Sequence, residues 1–291
     1  MRVGSDQRGD NGTASVVAVN DAAAHAPMVR WSELVEYRDF LRLLVWREVY
    51  LRYRHTVVGI GWSFINPLAT MAVFGLIVPS LVSRNTLAGF TRGVPYAVYV
   101  FCGVVPWACF AHALTRANTC LIDNGALIKN MYFPRLMLPL SKVLAALVEL
   151  LIALAALFLI MAALRIHPSW HVLLLPLVFV PLVAAALGGG LFLSAAQVPY
   201  RDVFFLTQFA IQLGMLVTPV WYPLSALPGP LRWALALNPM TAVVQGFRWA
   251  VLGVDAPSRG MLAASCAAAA VWMFGGLHFF RRRQETVADY V

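Results

Sequence analysis

"VLAALVELLIALAALFLIMAAL", residues 143–164, decides how the rest of the chain is read. One side chain in it is ionisable, Glu149. As a helix the run spans about 33 Å, enough to cross the roughly 30 Å hydrocarbon layer of a bilayer. Similar runs recur: residues 56–83, 93–115, 166–200, 203–231 and 260–280 contain no Asp, Glu, Lys or Arg. Of the 291 residues, 60% are hydrophobic and 12% charged, against about 25% charged in a soluble domain. A globule in water cannot hide that much apolar surface. The composition therefore predicts an all-α integral membrane protein with six transmembrane helices, near 60–83, 94–115, 141–164, 172–197, 203–222 and 260–280.

Outside the spans, residues 1–28 lack both periodicity and the apolar core of a secretory signal, and are expected to form a disordered cytoplasmic tail. Residues 29–55 alternate leucines and aromatics with Arg38, Arg42, Arg47, Arg52 and Arg54. That is too much charge for a crossing and suits an amphipathic helix in the headgroup plane. Between the fifth and sixth spans, residues 223–250 are punctuated by "YPLSALPGP" and by Asn238–Pro239, so a re-entrant pair of short helices is expected there. Residues 281–291 form a C-terminal segment opening on "RRR".

Orientation follows from the cations. The net charge is +9, with Lys129 and Lys142 the only lysines beside 20 arginines. Six spans place both termini, the 116–142 connection and Arg201 on one side, with 16 of the 22 cations; Arg84, Arg92, Arg165, Arg232, Arg248 and Arg259 fall opposite. The cation-rich side is then cytoplasmic, and the partner implied by the charge is anionic lipid, not nucleic acid. The localisation expected is a cytoplasmic membrane crossed several times, with both termini inside.

On that side lies "NMYFPRLMLPLSK", residues 130–142, a basic elbow stiffened by Pro134 and Pro139. It reads either as an anchored loop or as a lever between helices. Four further stretches belong with it: "LRYRHTVVGIGWSFINPLATMAVFGLI" (51–77), "LIKNMYFPRLMLPLSKVLAALVELLIALA" (127–155), "PYRDV" (199–203) and "TPVWYPLSALPGPLRWALALNPMTAVVQGFRWAVLG" (218–253). Together they resemble the type 2 ABC transporter permeases that export polysaccharides such as O-antigen and teichoic acid, over residues 33–291. The resemblance implies a homodimer of six-span subunits, two copies of a separate ATP-binding cassette subunit, and a bacterial inner membrane. It also implies a lipid-linked glycan moved outward through a central channel. ATP and magnesium would sit on the partner, and this chain would need no cofactor. Coupling and gate helices are implied at Asn118–Arg135, and the re-entrant element at Pro223–Gly253.

The residues agree in kind. No G-x-x-x-x-G-K-[ST] motif is present, so any nucleotide must be used by a partner. A stiff, Pro-bounded elbow transmits displacement better than a flexible linker. Ile128, Lys129, Tyr132, Phe133 and Arg135 are the expected coupling contact, with Arg201 and Asp202 beside it. Arg47, Arg52 and Arg54 either anchor the interface helix or meet the pyrophosphate of a polyprenyl-linked glycan. Sugar rings stack on aromatic faces, which makes Trp62, Phe64, Phe74, Tyr99, Trp107, Phe204, Trp221 and Tyr222 channel candidates. Glu149 should find an interhelical partner, since an unpaired carboxylate in hydrocarbon is costly.

Other chemistries fit less well. "HPSWH" (167–171) holds a proline and has no acid nearby to complete a metal shell. The four cysteines show no CxxC pairing and read as small buried hydrophobes. Gly188–Gly190 reads as a close helix contact. A membrane enzyme acting on lipid-linked sugars would want clustered carboxylates, and "GWSF" (61–64) lacks the second glycine of a nucleophile turn. An exporter of a drug or small lipid would share the fold.

Overall fold

The computed structural model describes residues 35–54, 61–83, 89, 91–254 and 256–290, apart from the side chains of 53, 62–64, 66–67 and 284–290. The expected tail, residues 1–28, and the side chains of Trp62 and Phe64 lie outside the described residues. All regular structure among the described residues is helical. Ten α-helices follow in order: α1 (Arg38–Tyr53), α2 (Trp62–Leu81), α3 (Tyr96–Asp123), α4 (Gly125–Asn130), α5 (Met137–Ala163), α6 (Leu175–Gln197), α7 (Val203–Val217), α8 (Gly229–Ala236), α9 (Pro239–Leu252) and α10 (Arg259–Tyr290).

Among the described residues, four helical segments are long and apolar enough to cross a membrane: α3, α5, α6 with the 3-10 turn that precedes it, and Arg259–Arg283 of α10. Of the other two expected spans, α2 is a helix of 20 residues and α7 one of 15. The fifth does not continue to residue 222. α7 stops at Val217 because Thr218 turns extended, and its 15 residues reach about 22 Å.

α3 is the hub. It packs against α2, α5, α6, α7 and α9, and from Val98 to Val105 its side chains are essentially sealed. α6 packs between α3 and α10, and its glycine triplet makes both contacts possible. A Cβ built on Gly276 of α10 would lie 1.9 Å from the Gly188 carbonyl oxygen, and one on Gly188 would lie 2.3 Å from the Trp272 backbone. On the other side, a Cβ built on Gly189 would lie 2.8 Å from the Leu114 side chain of α3, and one on Gly190 2.8 Å from that of Ala117. Lipid tails are as apolar as leucine, so helices in a membrane hold together through such close backbone approach.

Asn238–Pro239 breaks the chain between α8 and α9 and starts the second of these two short helices. The Asn238 side chain accepts from Met240 N at 3.0 Å, Pro239 occupies the first turn, and Gly253 ends the helix at φ +72°. The same Asn238 donates to Thr218 Oγ1 at 2.8 Å, which ties α9 to the end of α7.

Arg248, counted above among the loop cations, is fully buried. Its guanidinium donates to the Pro219 carbonyl at 2.8 Å, to the Val220 carbonyl, to the Tyr99 hydroxyl at 3.0 Å and to the Tyr99 carbonyl at 3.3 Å. It also stacks 3.8 Å over the Tyr99 ring. Its acceptors are carbonyls of the non-helical stretch after α7, groups that lipid could not satisfy. Gly103 leaves the room: a Cβ there would meet Arg248 Nη2 at 2.7 Å.

Two substitutions test this packing. Gly276→Val should destabilise the protein by about 1–3 kcal/mol through overpacking, whereas its neighbour Gly275, with nothing within 4 Å, should accept alanine without loss; thermal unfolding in detergent separates them. Arg248→Met leaves three backbone carbonyls and a phenol without this donor and should lower the melting temperature by an amount corresponding to about 1–3 kcal/mol. Arg248→Lys should recover only part of it, because a point ammonium cannot reproduce the fork.

Candidate transport site

The end of α1, the second half of α3 and the fourth turn of α5 meet at one carboxylate. Glu149 is 5% exposed. Its Oε1 accepts from Arg52 of α1 at 2.5 Å and from Arg116 of α3 at 2.6 Å, and its Oε2 lies 3.1 Å from His112 Nδ1. His112 and Arg116 are four residues apart on α3 and so share a face. An isolated carboxylate at this depth would be costly, and the two guanidiniums are what make it tolerable. Two cations against one anion leave the cluster net positive even with His112 neutral.

Beside the cluster is a cavity of about 340 Å³, with Arg52, His112 and Glu149 at its charged end and Thr70, Trp107 and Gln212 among its other walls. Its volume sits at the lower end of small-molecule sites. Trp107 is clamped from behind by α7, where a Cβ on Gly214 would meet its ring at 2.8 Å.

α1 does not simply lie on the surface. It runs alongside the start of α5, fastened by Arg52 to Glu149 and by Glu48 to Lys142. Phe40 packs on Phe133 with ring centroids 5.1 Å apart. Its other side, with Leu43, Trp46, Tyr50 and Leu51, is uncovered and suited to lipid.

The three arginines expected at a pyrophosphate do not converge. Arg47 and Arg54 are seven residues apart, hence on one helix face, and both are exposed, with Arg54 5.6 Å over the Tyr50 ring. Arg52 points the other way, into the cluster. At the elbow, α4 leads into an exposed Lys129, Met131 and Tyr132, with Ile128 half-buried. Phe133, expected on the same contact surface, is 6% exposed and taken up by α1. Arg135 is half-buried at the start of α5 and its carbonyl accepts from Leu138 N. Arg201 and Asp202 are exposed in the turn between α6 and α7, and Gln197 Nε2 donates to the Arg201 carbonyl at 3.2 Å.

Of the channel candidates, Trp107 reaches the cavity. Phe74 stacks on Trp221 at 3.8 Å, Tyr99 is sealed under Arg248, and the Tyr222 hydroxyl donates to the Val217 carbonyl at 2.7 Å. The Phe74–Trp221 and Tyr99–Arg248 contacts join distant segments, and the Tyr222 bond closes the turn after α7. Phe204 is half-buried and meets Phe205 edge-on. His171 sits between Trp170 and Trp249 and bonds Ser169 Oγ at 2.7 Å.

His112 and Arg116 escaped the reading of the sequence, as did the burial of Arg248 and the Glu48–Lys142 pair. The first two had a signal: they are the ionisable residues inside the second apolar segment and its extension, spaced one turn apart, and Glu149 needed a partner.

The chain is 29% identical over 261 residues to an O-antigen export system permease protein RfbA of Myxococcus xanthus, covering 89% of this chain and 98% of that protein. Two proteins of the same name from Klebsiella pneumoniae are 27% and 26% identical over 214 residues, 72% of this chain and 79% of each. Residues 40–252 match the ABC-2 type transporter family. That span runs from α1 to the end of α9 and contains the whole charged cluster, and the chain belongs to the ABC-2 type transporter family.

Proposed function

We propose that this chain is the permease subunit of an ABC exporter that moves a lipid-linked, O-antigen-like polysaccharide outward across the bacterial inner membrane. The supporting observation is the likeness to O-antigen export permeases along nearly their whole length. A family member of this kind works with an ATPase partner, and hydrolysis belongs to that partner. The finer reading is a homodimer with two ATPase copies. Each subunit crosses six times with both termini inside, and α8 and α9 form a re-entrant pair. Uncovered apolar side chains on α2 (Val73, Leu76, Ile77) and α7 (Phe205, Phe209, Leu213) supply faces for lipid or a second copy.

Ile128, Lys129, Tyr132 and Arg135, with Arg201 and Asp202, are the residues we assign to ATPase contact, and Phe133 acts through α1. An elbow bounded by prolines moves as a unit with α5, so partner motion at Tyr132 is passed to the helix that carries Glu149. Arg52, at the cavity, is assigned to the substrate diphosphate, while Arg47 and Arg54 serve the headgroup layer.

The test is reconstitution of the chain with its ATPase in proteoliposomes supplied with lipid-linked polysaccharide. ATP-dependent appearance of glycan on the far side is expected, and its absence in the presence of robust drug or short-lipid efflux would overturn the cargo. Tyr132→Ala combined with Lys129→Glu should weaken ATPase stimulation by the permease about tenfold, the scale of lost contact hot spots. Phe133→Ala should leave ATPase binding intact and lower transport per ATP.

A further inference from the structure

The cluster around Glu149 offers more donors than its carboxylate uses. Both guanidiniums converge on a single oxygen, Oε1, while the other oxygen is held by His112. Arg116 Nη1 is buried with no partner at all. Arg52 is the more open of the two arginines, its side chain 29% exposed against 17% for Arg116, and it lines the cavity. Two guanidinium forks facing a monoanion are under-neutralised; a group with more oxygens and more charge would satisfy them better, and phosphate is that group.

We propose that Glu149 is a resident stand-in for phosphate: its carboxylate occupies Arg52 and Arg116 while the cavity is empty, and an incoming diphosphate takes both guanidiniums over, leaving Glu149 to His112. The step breaks no covalent bond. It exchanges one anion for another on the same donors, so the buried charges are never left without a partner. It also makes Glu149 a competitor that lowers affinity for every anion and admits only those able to displace it. This rests on the assignment of Arg52 to the substrate diphosphate made above, and adds to it the displaced carboxylate and the second arginine.

The consequence has an unusual sign. Removing the competitor's charge, Glu149→Gln, should tighten binding of farnesyl diphosphate by about tenfold, the scale of one charge-assisted hydrogen bond. Arg52→Gln should weaken it by a similar factor. The measurement is titration of the purified full-length chain in detergent, followed by tryptophan fluorescence, with inorganic pyrophosphate as the second ligand and a monodisperse profile required of each variant. A structural ion pair alone would make Glu149→Gln bind no tighter, and that result overturns the proposal.

A second measurement uses the unaltered protein. Displacement frees the carboxylate from both arginines, so farnesyl diphosphate should raise modification of Glu149 by a hydrophobic carbodiimide severalfold, read by peptide mass spectrometry. Unchanged or reduced modification overturns the exchange even if Glu149→Gln fails to fold. If pyrophosphate reproduces every effect and the farnesyl chain adds nothing, the anion exchange stands and the lipid-linked reading of Arg52 falls. If only farnesyl diphosphate acts, both stand.

Discussion

Two guanidiniums on one buried carboxylate hold together the half of the molecule nearest the elbow. Glu149 sits in a segment otherwise wholly apolar, of alanine, leucine, valine and isoleucine with Phe158 and Met161, and nothing in hydrocarbon would compensate its charge. Its requirement draws Arg52 in from α1 and Arg116 from α3. Glu149 thereby adds a third fastening of α1 to the bundle, beside the Glu48–Lys142 pair and the Phe40–Phe133 contact, and sets Arg52 at the charged end of the cavity. The same interaction therefore shapes both the docking of the interface helix and the chemistry available to a substrate.

The other half of the molecule solves a different difficulty. After α7 the backbone leaves helical geometry, and its carbonyls need donors that lipid does not contain. Arg248 supplies them from α9, and it fits only because Gly103 on α3 has no side chain. Between α6 and α10 the Gly188–Gly276 approach brings backbones into direct contact. Charge, carbonyl capture and backbone contact thus divide the work of holding helices together in a solvent that provides no hydrophobic drive between them.

Much of this was legible from residue order. The charge-free runs mark where the long helices lie, the glycine triplet marks a close crossing, and the loneliness of Glu149 announces a partner. Chain termination was harder to see. Asn238–Pro239 marks the break that separates α8 from α9, but that the same two residues also cap the second helix, with the Asn side chain turned to Met240 N, was not read from them. Partner identity was harder still. Arg47, Arg52 and Arg54 look alike in a basic helix, but the helical turn sends Arg52 to the bundle and the other two to the surface. Phe133 looks like an exposed aromatic beside Tyr132, and a neighbour 93 residues earlier, Phe40, buries it. Burial of this kind depends on contacts between distant segments, which local pattern does not record.

The two ion pairs between α1 and α5 have opposite polarity along the same direction: Glu48 meets Lys142, and farther along Arg52 meets Glu149. Slide α1 forward and Glu48 approaches Glu149; slide it back and Arg52 approaches Lys142. Either displacement brings like charges together where water is scarce and repulsion is strong. The interface helix is consequently indexed, able to tilt or lift away from its neighbour but barred from creeping along it, so any stroke it receives arrives as a lever's swing and not as a piston's travel.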